Sequence, residues 1–234
     1  MEWVAERLQE AYKGLIDPSQ IEPSTHCVNI HFKTSGIDVD VVPVLHEDDP
    51  DDRGYLVAKD TGDKLLTSVR LHLAFVRERK NICERDWAQM VRFIKWWVRE
   101  QKLRTADTFR FKSFLTELTC AHLLDNNRMT FGDYPAALED FFDYVVRTEL
   151  RERIAFSDYY PISDLPDNRV GEIEIFDPVN PTNNVARGYE EADRQRIVDA
   201  ASEALDAITE ARFATTKAQA VECWQVVLGS RFRG

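Results

Sequence analysis

The sequence has no apolar run approaching the roughly 20 residues that a helix needs to cross a bilayer. Its first residues, MEWVAERLQEAYKGL, are acidic and amphipathic. A secretory signal peptide has a basic start followed by an apolar stretch, which this segment does not resemble. We therefore expect a cytoplasmic protein with no membrane partner.

Cysteine is scarce, with four residues in a chain of 234. These residues have neither the CxxC spacing nor the neighbouring histidine pairs of a zinc site. Scattered thiols are typical of proteins in a reducing compartment, where disulfides are rare. The pattern favours neither structural zinc nor a disulfide framework.

Positive charge is also in short supply, because 30 Lys and Arg stand against 41 Asp and Glu, a net charge of −11. A protein that binds duplex nucleic acid needs clustered Lys and Arg for its phosphate contacts. The only short basic run is RERK at 77–80. We expect no binding to duplex DNA or RNA. A small nucleotide stays compatible with this charge, because a metal ion can bridge acidic side chains and phosphate.

Strand patterns lie early in the chain and helix patterns lie late, which predicts an α+β fold with a helical second lobe. Strict alternation in HCVNIHFK and the apolar run IDVDVVPVL predict a hairpin over 26–45, and GYLVA and VGEIEIF predict further short strands. Apolar spacing and capping signals predict helices at 3–16, 65–80, 84–101, 113–125, 134–150, 189–213 and 217–228.

Two aspartates interrupt the apolar segment IDVDVVP at 37–43. Because strand side chains alternate, Asp38 and Asp40 project from one face, while Ile37, Val39 and Val41 are expected to face the core. Two neighbouring carboxylates suit Mg²⁺, which binds one or two carboxylates together with water and phosphate oxygens. The alternative is a solvated strand edge, and the D-x-D spacing alone does not decide between them.

The stretch VNIHFKTSGIDVDVVPVL resembles a hairpin of the cGAS-like and oligoadenylate synthase-like nucleotidyltransferases, including the bacterial CD-NTases of CBASS antiphage defence. In that family, a strand that ends in Asp, two apolar residues and Pro carries the third metal-binding carboxylate. The resemblance implies that Asp40 is catalytic and holds the metal, and it gives Asp38 no role.

Three later stretches resemble the same family in the same order. MVRFIKWW resembles the helix whose lysine contacts the donor phosphates, which implies that Lys95 binds nucleotide. FKSFLTELTCAHLL resembles the next helix, where Ser113 would face the nucleotide and Glu117 matches a glutamate that we interpret as structural. IFDPVNPTNNVA resembles the DP-x-(N/D)-P-T-x-N loop, called the DP-loop below, and the ending ECWQVVLGSRF resembles the Trp-x₃-(Phe/Leu)-Gly ending of bacterial members.

Each of these residues also has a purely structural interpretation. Lys95 could be a solvated lysine on an amphipathic helix, and Ser113 could be a helix N-cap. Asp177, in the DP-loop, could close a turn by an Asx hydrogen bond. Trp96 and Trp97 suit packing better than a platform for bases.

The resemblance implies a Pol β-like nucleotidyltransferase lobe at 1–64, incomplete at its N-terminus, and a helical lobe at 65–234. The DP-loop region, 156–187, would return toward the active site. The implied function is synthesis of cyclic di- or trinucleotide signals from NTPs with Mg²⁺ or Mn²⁺ in CBASS defence, with an effector or regulatory protein as a further partner.

In this family, two more catalytic carboxylates lie on a strand that follows a Gly-Ser turn, ahead of the helix matched here by 3–16. We therefore expect residues 1–234 to lack two of the three carboxylates, so that enzyme activity stays an open question. TSGIDVD could itself be that first pair, but Pro43 and the later motifs favour the third-carboxylate strand. The alternatives are an inactive nucleotide-binding or scaffold protein, and another Pol β-like enzyme, which the DP-loop argues against.

Overall fold

The structure is a computed structural model that describes residues 1–234 apart from the side chain of Glu84. It confirms the mixed α+β class. Two compact units make up the chain, Met1–Leu73 and Ala74–Gly234. None of the helices in the described part of the chain is both long and apolar enough to cross a membrane.

The first unit contains a short helix and two antiparallel sheets of three strands each. Its elements are α1 (Glu2–Ala11), β1 (Ile21–Pro23), β2 (Val28–Phe32), β3 (Ile37–Val41), β4 (Leu45–His46), β5 (Gly54–Val57) and β6 (Lys64–Thr67). The sheet orders are β1-β2-β3 and β4-β5-β6. The strands β2 and β3 form the predicted hairpin around the turn at 33–36.

Helix α1 packs on one face of the first sheet, where Ala5 of the helix meets Val28 and Ile30 of β2, and all three are almost fully buried. The prediction that the apolar side chains of β3 face the core is wrong for two of three. Ile37 is 55% exposed and Val39 is 38% exposed, although each lies opposite a β2 residue of the same face. The reason is that α1 packs against β1, at the edge of the sheet opposite β3.

The second unit is helical and contains the main apolar core of the described chain. The helices of the chain after β6 are α2 (Val69–Arg104), α3 (Ser113–Asp125), α4 (Tyr134–Thr148), α5 (Glu191–Phe213) and α6 (Lys217–Leu228). Trp97 is fully buried and packs edge-on against Phe109 and Phe142 at ring distances of 5.6 and 4.9 Å. Its predicted packing role is confirmed.

Several predicted elements differ from the structure, and the first helix, predicted at 3–16, already ends at Ala11. The helices at 65–80 and 84–101 are one helix, α2, because no Gly or Pro interrupts the sequence from 69 to 104. The segment at 64–67 is a strand, and the helix starts only after Ser68, whose hydroxyl accepts a hydrogen bond from the Leu71 N–H. The segment VGEIEIF forms no strand but two isolated bridges, from Ile175 to Ile154 and from Phe176 to Asn184.

Arg79, on α2, lies 95% buried between two acidic side chains. It donates to Asp158 at 2.8 and 3.1 Å and to Asp125, at the end of α3, at 2.5 and 3.2 Å. Its guanidinium carbon lies 3.5 Å from the centre of the Phe75 ring. One cation therefore joins α2, α3 and the segment that leads to the DP-loop.

We predict that Arg79→Met lowers the free energy of unfolding by about 3–5 kcal/mol, because two partly buried carboxylates lose their counterion. Arg77→Met is the matched control on the exposed side of the same helix and should change stability by less than about 0.5 kcal/mol. Urea unfolding followed by circular dichroism measures both. Equal stability of the two variants would contradict a structural role for this ion cluster.

Candidate functional site

The hairpin places Asp38 and Asp40 on the sheet face opposite α1, each facing a polar residue of β2. The register pairs Asn29 with Asp40 and His31 with Asp38. The Asn29 amide donates to Asp40 Oδ1 at 2.5 Å, and His31 Nδ1 lies 2.7 Å from Asp38 Oδ1. Both aspartates are exposed. The predicted shared face is confirmed, and each carboxylate has its own partner.

These two partners differ in charge, which separates the roles of the aspartates. The hydrogen bond with Asp38 raises the pKa of His31, against a small opposing effect of desolvation. A protonated His31 compensates the charge of Asp38. Asn29 is neutral, so it orients Asp40 without compensating its charge, and no described side chain forms an ion pair with Asp40. Asp40 is therefore the carboxylate with the stronger attraction for a cation.

The donor set at Asp40 fits a hard divalent ion that also binds phosphate. Mg²⁺ takes one or two carboxylates and completes its shell with water and phosphate oxygens. The Asn29 bond engages Asp40 Oδ1, and the residue as a whole is exposed. The described residues contain no cluster of three or more metal-ligating side chains. Asp40 can thus serve as one ligand of an ion that is shared with other groups.

Lys95, on α2, does not lie free in solvent, so its interpretation as a solvated lysine is wrong. Its ammonium donates a short hydrogen bond to Glu117 Oε1 of α3, and both side chains are about one-third exposed. This contact turns the Lys95 head toward α3. Glu117, which the sequence marked only as structural, is thus the residue that fixes the position of the lysine.

Ser113 is the first residue of α3 and is exposed. The N-cap is Lys112, which makes no capping bond through its side chain, so the interpretation of Ser113 as an N-cap is wrong. The first N–H groups of a helix lack partners within the helix and favour an anion. Lys95 extends from α2 to Glu117, which lies one turn after Ser113 on α3. Both predicted phosphate-binding side chains are therefore near the start of α3.

The start of α3 is joined to the end of the DP-loop. The Lys112 N–H donates to the Tyr189 hydroxyl at 2.9 Å, and Arg110 donates to the Gly188 carbonyl at 2.6 Å while lying over the Tyr189 ring. Two motifs that stand more than 70 residues apart in the sequence are therefore neighbours within the second unit.

The DP-loop uses its polar side chains to hold its own backbone. Asp177 accepts from the Val179 N–H at 2.9 Å, as the Asx interpretation predicts, and Asn180 accepts from the Thr182 N–H at 3.1 Å. Asn184 accepts from two N–H groups and donates to the Ile173 carbonyl. Asp177, Asn180 and Asn184 are each at least 95% buried. Their regular spacing in the motif reflects this internal network.

An ion pair anchors the strand-like entry to the DP-loop. Arg153 donates to both oxygens of Glu174, at 3.1 and 3.3 Å, and also to the Pro166 and Asn168 carbonyls. Burial by itself would raise the pKa of Glu174, but the hydrogen bonds from Arg153 and the Val170 N–H outweigh it, so the pKa is lowered. The folded state therefore holds Glu174 ionised.

We predict that Glu174→Gln lowers stability near neutral pH by about 1.5–3 kcal/mol, the usual size of a hydrogen bond to a charged group. A carboxyl group whose pKa is lower in the folded state than in the unfolded state stabilises the protein at pH values above its unfolded pKa. This stabilisation is lost as the pH falls through the pKa of the folded state. The difference between variant and wild type should therefore shrink below about pH 4. Unfolding measured across pH tests this prediction. Glu172→Gln, half exposed, is the control, and a difference independent of pH would contradict the assignment.

Sequence reasoning missed Asn29 and the contact between Glu117 and Lys95. The signal for Asn29 was available, because a four-residue turn at 33–36 places it directly opposite Asp40. No sequence signal gives the packing of α2 against α3 that brings Lys95 to Glu117. The hairpin belongs to one unit and Lys95, Ser113 and the DP-loop to the other, so the structure groups the predicted residues into two sets.

Comparison with known proteins identifies the family. No protein-family model matches the chain. The cyclic AMP-AMP-AMP synthase of Escherichia coli strain MS 115-1 is 46% identical over 234 residues, which cover all of this chain and 72% of that protein. The CBASS oligonucleotide cyclase CdnC of E. coli strain KTE188 is 28% identical over 233 residues, which cover 98% of this chain and 69% of that protein.

Solved structures agree with this match. The structure of E. coli MS115-1 CdnC in complex with HORMA-deltaN superimposes on this chain with a TM-score of 0.88 and 46% identity. The match covers all of this chain and 71% of the CdnC chain. The same enzyme solved with ATP gives a TM-score of 0.87. Because nearly half of all residues are identical over the full length of the chain, the chain belongs to the family of CBASS oligonucleotide cyclases, the CD-NTases.

Proposed function

We propose that this chain supplies a metal-binding carboxylate and the donor-phosphate contacts of an enzyme that makes a cyclic oligonucleotide from NTPs. The observation that carries the proposal is Asp40, an exposed carboxylate that a neutral amide orients and that forms no direct ion pair with a described side chain. The likeness to a cyclic AMP-AMP-AMP synthase and to a CdnC solved with ATP supports ATP as a substrate.

Asp40 would hold Mg²⁺ or Mn²⁺ as one of several ligands. When bound, a divalent ion stabilises charge on the attacking and leaving oxygens of phosphoryl transfer. The role of this chain is to present the carboxylate in a fixed direction. The cross-strand pairing to Asn29 does this without weakening the negative charge of Asp40. Asp38 has its own partner in His31, and we assign it a structural role.

Lys95 and Ser113 would hold the donor phosphates at the start of α3. The ammonium of Lys95 is positioned by Glu117, and the exposed first turn of α3 adds N–H donors. The hydrogen bond from the Lys112 N–H to the Tyr189 hydroxyl would hold the start of α3 in a fixed position next to the end of the DP-loop. The loop itself then acts as a support, since its buried side chains are engaged with its own backbone.

A regulatory protein is the remaining partner that we propose. The E. coli MS115-1 CdnC was solved in complex with HORMA-deltaN, and this chain is similar to that enzyme over its full length. A protein partner of that kind is consistent with the acidic net charge, which disfavours duplex nucleic acid as a trigger.

Asp40 is best tested in a chimera that joins these 234 residues to the parts of the E. coli MS 115-1 synthase lying outside the match. We predict that Asp40→Asn reduces product formation by about 10²-fold or more, because misplacing a reacting group has effects of that size. Asp38→Asn is the matched control and should cost far less. Products from all four NTPs are separated by chromatography, and the thermal midpoint checks folding.

Equal losses from the two substitutions would show that the metal carboxylate is wrongly assigned. A chimera that binds ATP but makes no product in any NTP mixture would instead support the alternative, an inactive nucleotide-binding protein. If Asp40→Asn leaves the rate of product formation unchanged, the proposed role of Asp40 is contradicted.

Lys95 is tested in the same chimera. We predict that Lys95→Met raises KM for ATP by about 10-fold or more, the equivalent of one lost hydrogen bond to a charged group. Lys102→Met, on the exposed side of the same helix, is the control and should leave KM unchanged. An unchanged KM for Lys95→Met, with the thermal midpoint retained, would show that Lys95 only bridges α2 and α3.

A further inference from the structure

A pocket of about 490 Å³ lies on the second unit, and neither Lys95 nor Ser113 lines it. We call it the arginine-rimmed pocket. It is formed by Arg92, Phe93 and Trp96 of α2 and by Leu228, Arg231 and Phe232 at the end of the chain. Its volume falls within the usual range of ligand pockets.

Hydrogen bonds hold the two walls of this pocket together. Between the walls, Trp96 Nε1 donates to the Leu228 carbonyl at 2.8 Å. Within the C-terminal wall, Gln225 Nε2 donates to the Phe232 carbonyl at 3.0 Å. Between them, Gly229 has φ +84° and ψ 162°, a conformation that is essentially restricted to glycine. A side chain at Gly229 would also collide with the Glu100 carboxylate. The pocket is therefore formed in advance of any ligand.

The floor of the pocket is apolar and includes an exposed aromatic side chain. Trp96 is 38% exposed, and Phe93, Leu228 and Phe232 are partly exposed around it. Exposed tryptophan at the centre of a preformed pocket is typical of sites where one large side chain of a partner docks. The Trp-x₃-Leu-Gly ending thus contributes Leu228 and the Gly229 turn to this surface.

The rim is positively charged in a chain whose net charge is −11. Arg92 and Arg231 are exposed, and within the described residues neither forms an ion pair with a carboxylate. Arg99 lies over the Trp96 ring at 5.0 Å, but it pairs with Glu100 at 3.3 Å, so the uncompensated charges of the rim are Arg92 and Arg231. An occupant with carboxylates beside its apolar group would complement this rim.

The available polar groups favour a peptide over a nucleotide. Recognition of a base edge needs free donors and acceptors inside the pocket. Trp96 Nε1 is engaged with Leu228, and Gln89 accepts from Arg92 at 3.0 Å. What remains is apolar surface inside, guanidinium groups at the rim and the side-chain NH2 of Gln89.

We propose that the arginine-rimmed pocket binds an acidic peptide segment of a partner protein, with one large apolar side chain inserted against Trp96 and flanking Asp or Glu on Arg92 and Arg231. This inference does not depend on metal binding at Asp40 or on the phosphate contacts of Lys95. It assigns a separate protein-binding surface to the second unit.

The experiment starts with a displayed library of random peptides of about 12 residues, selected on the purified chain. We expect enrichment of sequences with a large apolar residue flanked by Asp or Glu. The best peptide is then made synthetically, and its affinity is measured by fluorescence anisotropy. Arg92→Glu and Arg231→Glu should each weaken binding about 10-fold or more, and higher salt should weaken it further.

Arg233→Glu is the matched control, because it carries the same charge change two residues away, and Arg233 contacts only backbone carbonyls of its own segment. It should change affinity by less than about 3-fold. The proposal is overturned if no sequence is enriched, if the enriched peptides lack acidic residues, or if Arg233→Glu weakens binding as much as Arg231→Glu. Displacement of the peptide by ATP at the wild-type pocket, but not at Arg231→Glu, would assign the pocket to a nucleotide instead.

Discussion

The pairing register between β2 and β3 is the constraint on which the candidate site depends. It sets Asn29 opposite Asp40 and His31 opposite Asp38, so that two aspartates on one face receive different partners. A slip of one residue would turn both carboxylates to the face that α1 covers. Asp38 is hydrogen-bonded to a histidine, whose pKa it raises, whereas Asp40 is oriented by a neutral amide. A local backbone pattern thus creates the difference in chemistry between two otherwise equivalent side chains.

In the second unit, buried polar side chains stabilise the irregular segments, which lack the backbone hydrogen bonds of a helix or a sheet. Arg79 joins two helices to the segment ahead of the DP-loop, and Arg153 with Glu174 fixes the entry to that loop. Such groups are stable inside a protein only when they are paired and hydrogen-bonded. The loop can therefore keep a defined shape without a strand, and its exit through Tyr189 positions the start of α3.

The sequence predicted much of this structure where local rules apply. Alternation predicted the hairpin, and capping patterns predicted the start of α4 at Asp133 and of α6 at Thr216, both of which are confirmed. The family was recognisable from ordered motifs. Burial of Ile37 and Val39 was wrongly predicted, because exposure depends on which edge of the sheet the helix covers, and α1 packs against β1. The contact of Lys95 with Glu117 was not predicted either, since it depends on how two helices pack.

The central claim is that Asp40, and not another acidic group, is the metal ligand of this chain. Paramagnetic broadening by Mn²⁺ in the presence of ATP, measured by NMR on the isotope-labelled chain, tests it most directly. The account predicts that the side-chain amide of Asn29 and the backbone amides of β3 broaden first, because they lie beside the Asp40 carboxylate. Broadening centred instead on the acidic loop at 47–52, or spread evenly over the acidic surface, would contradict it.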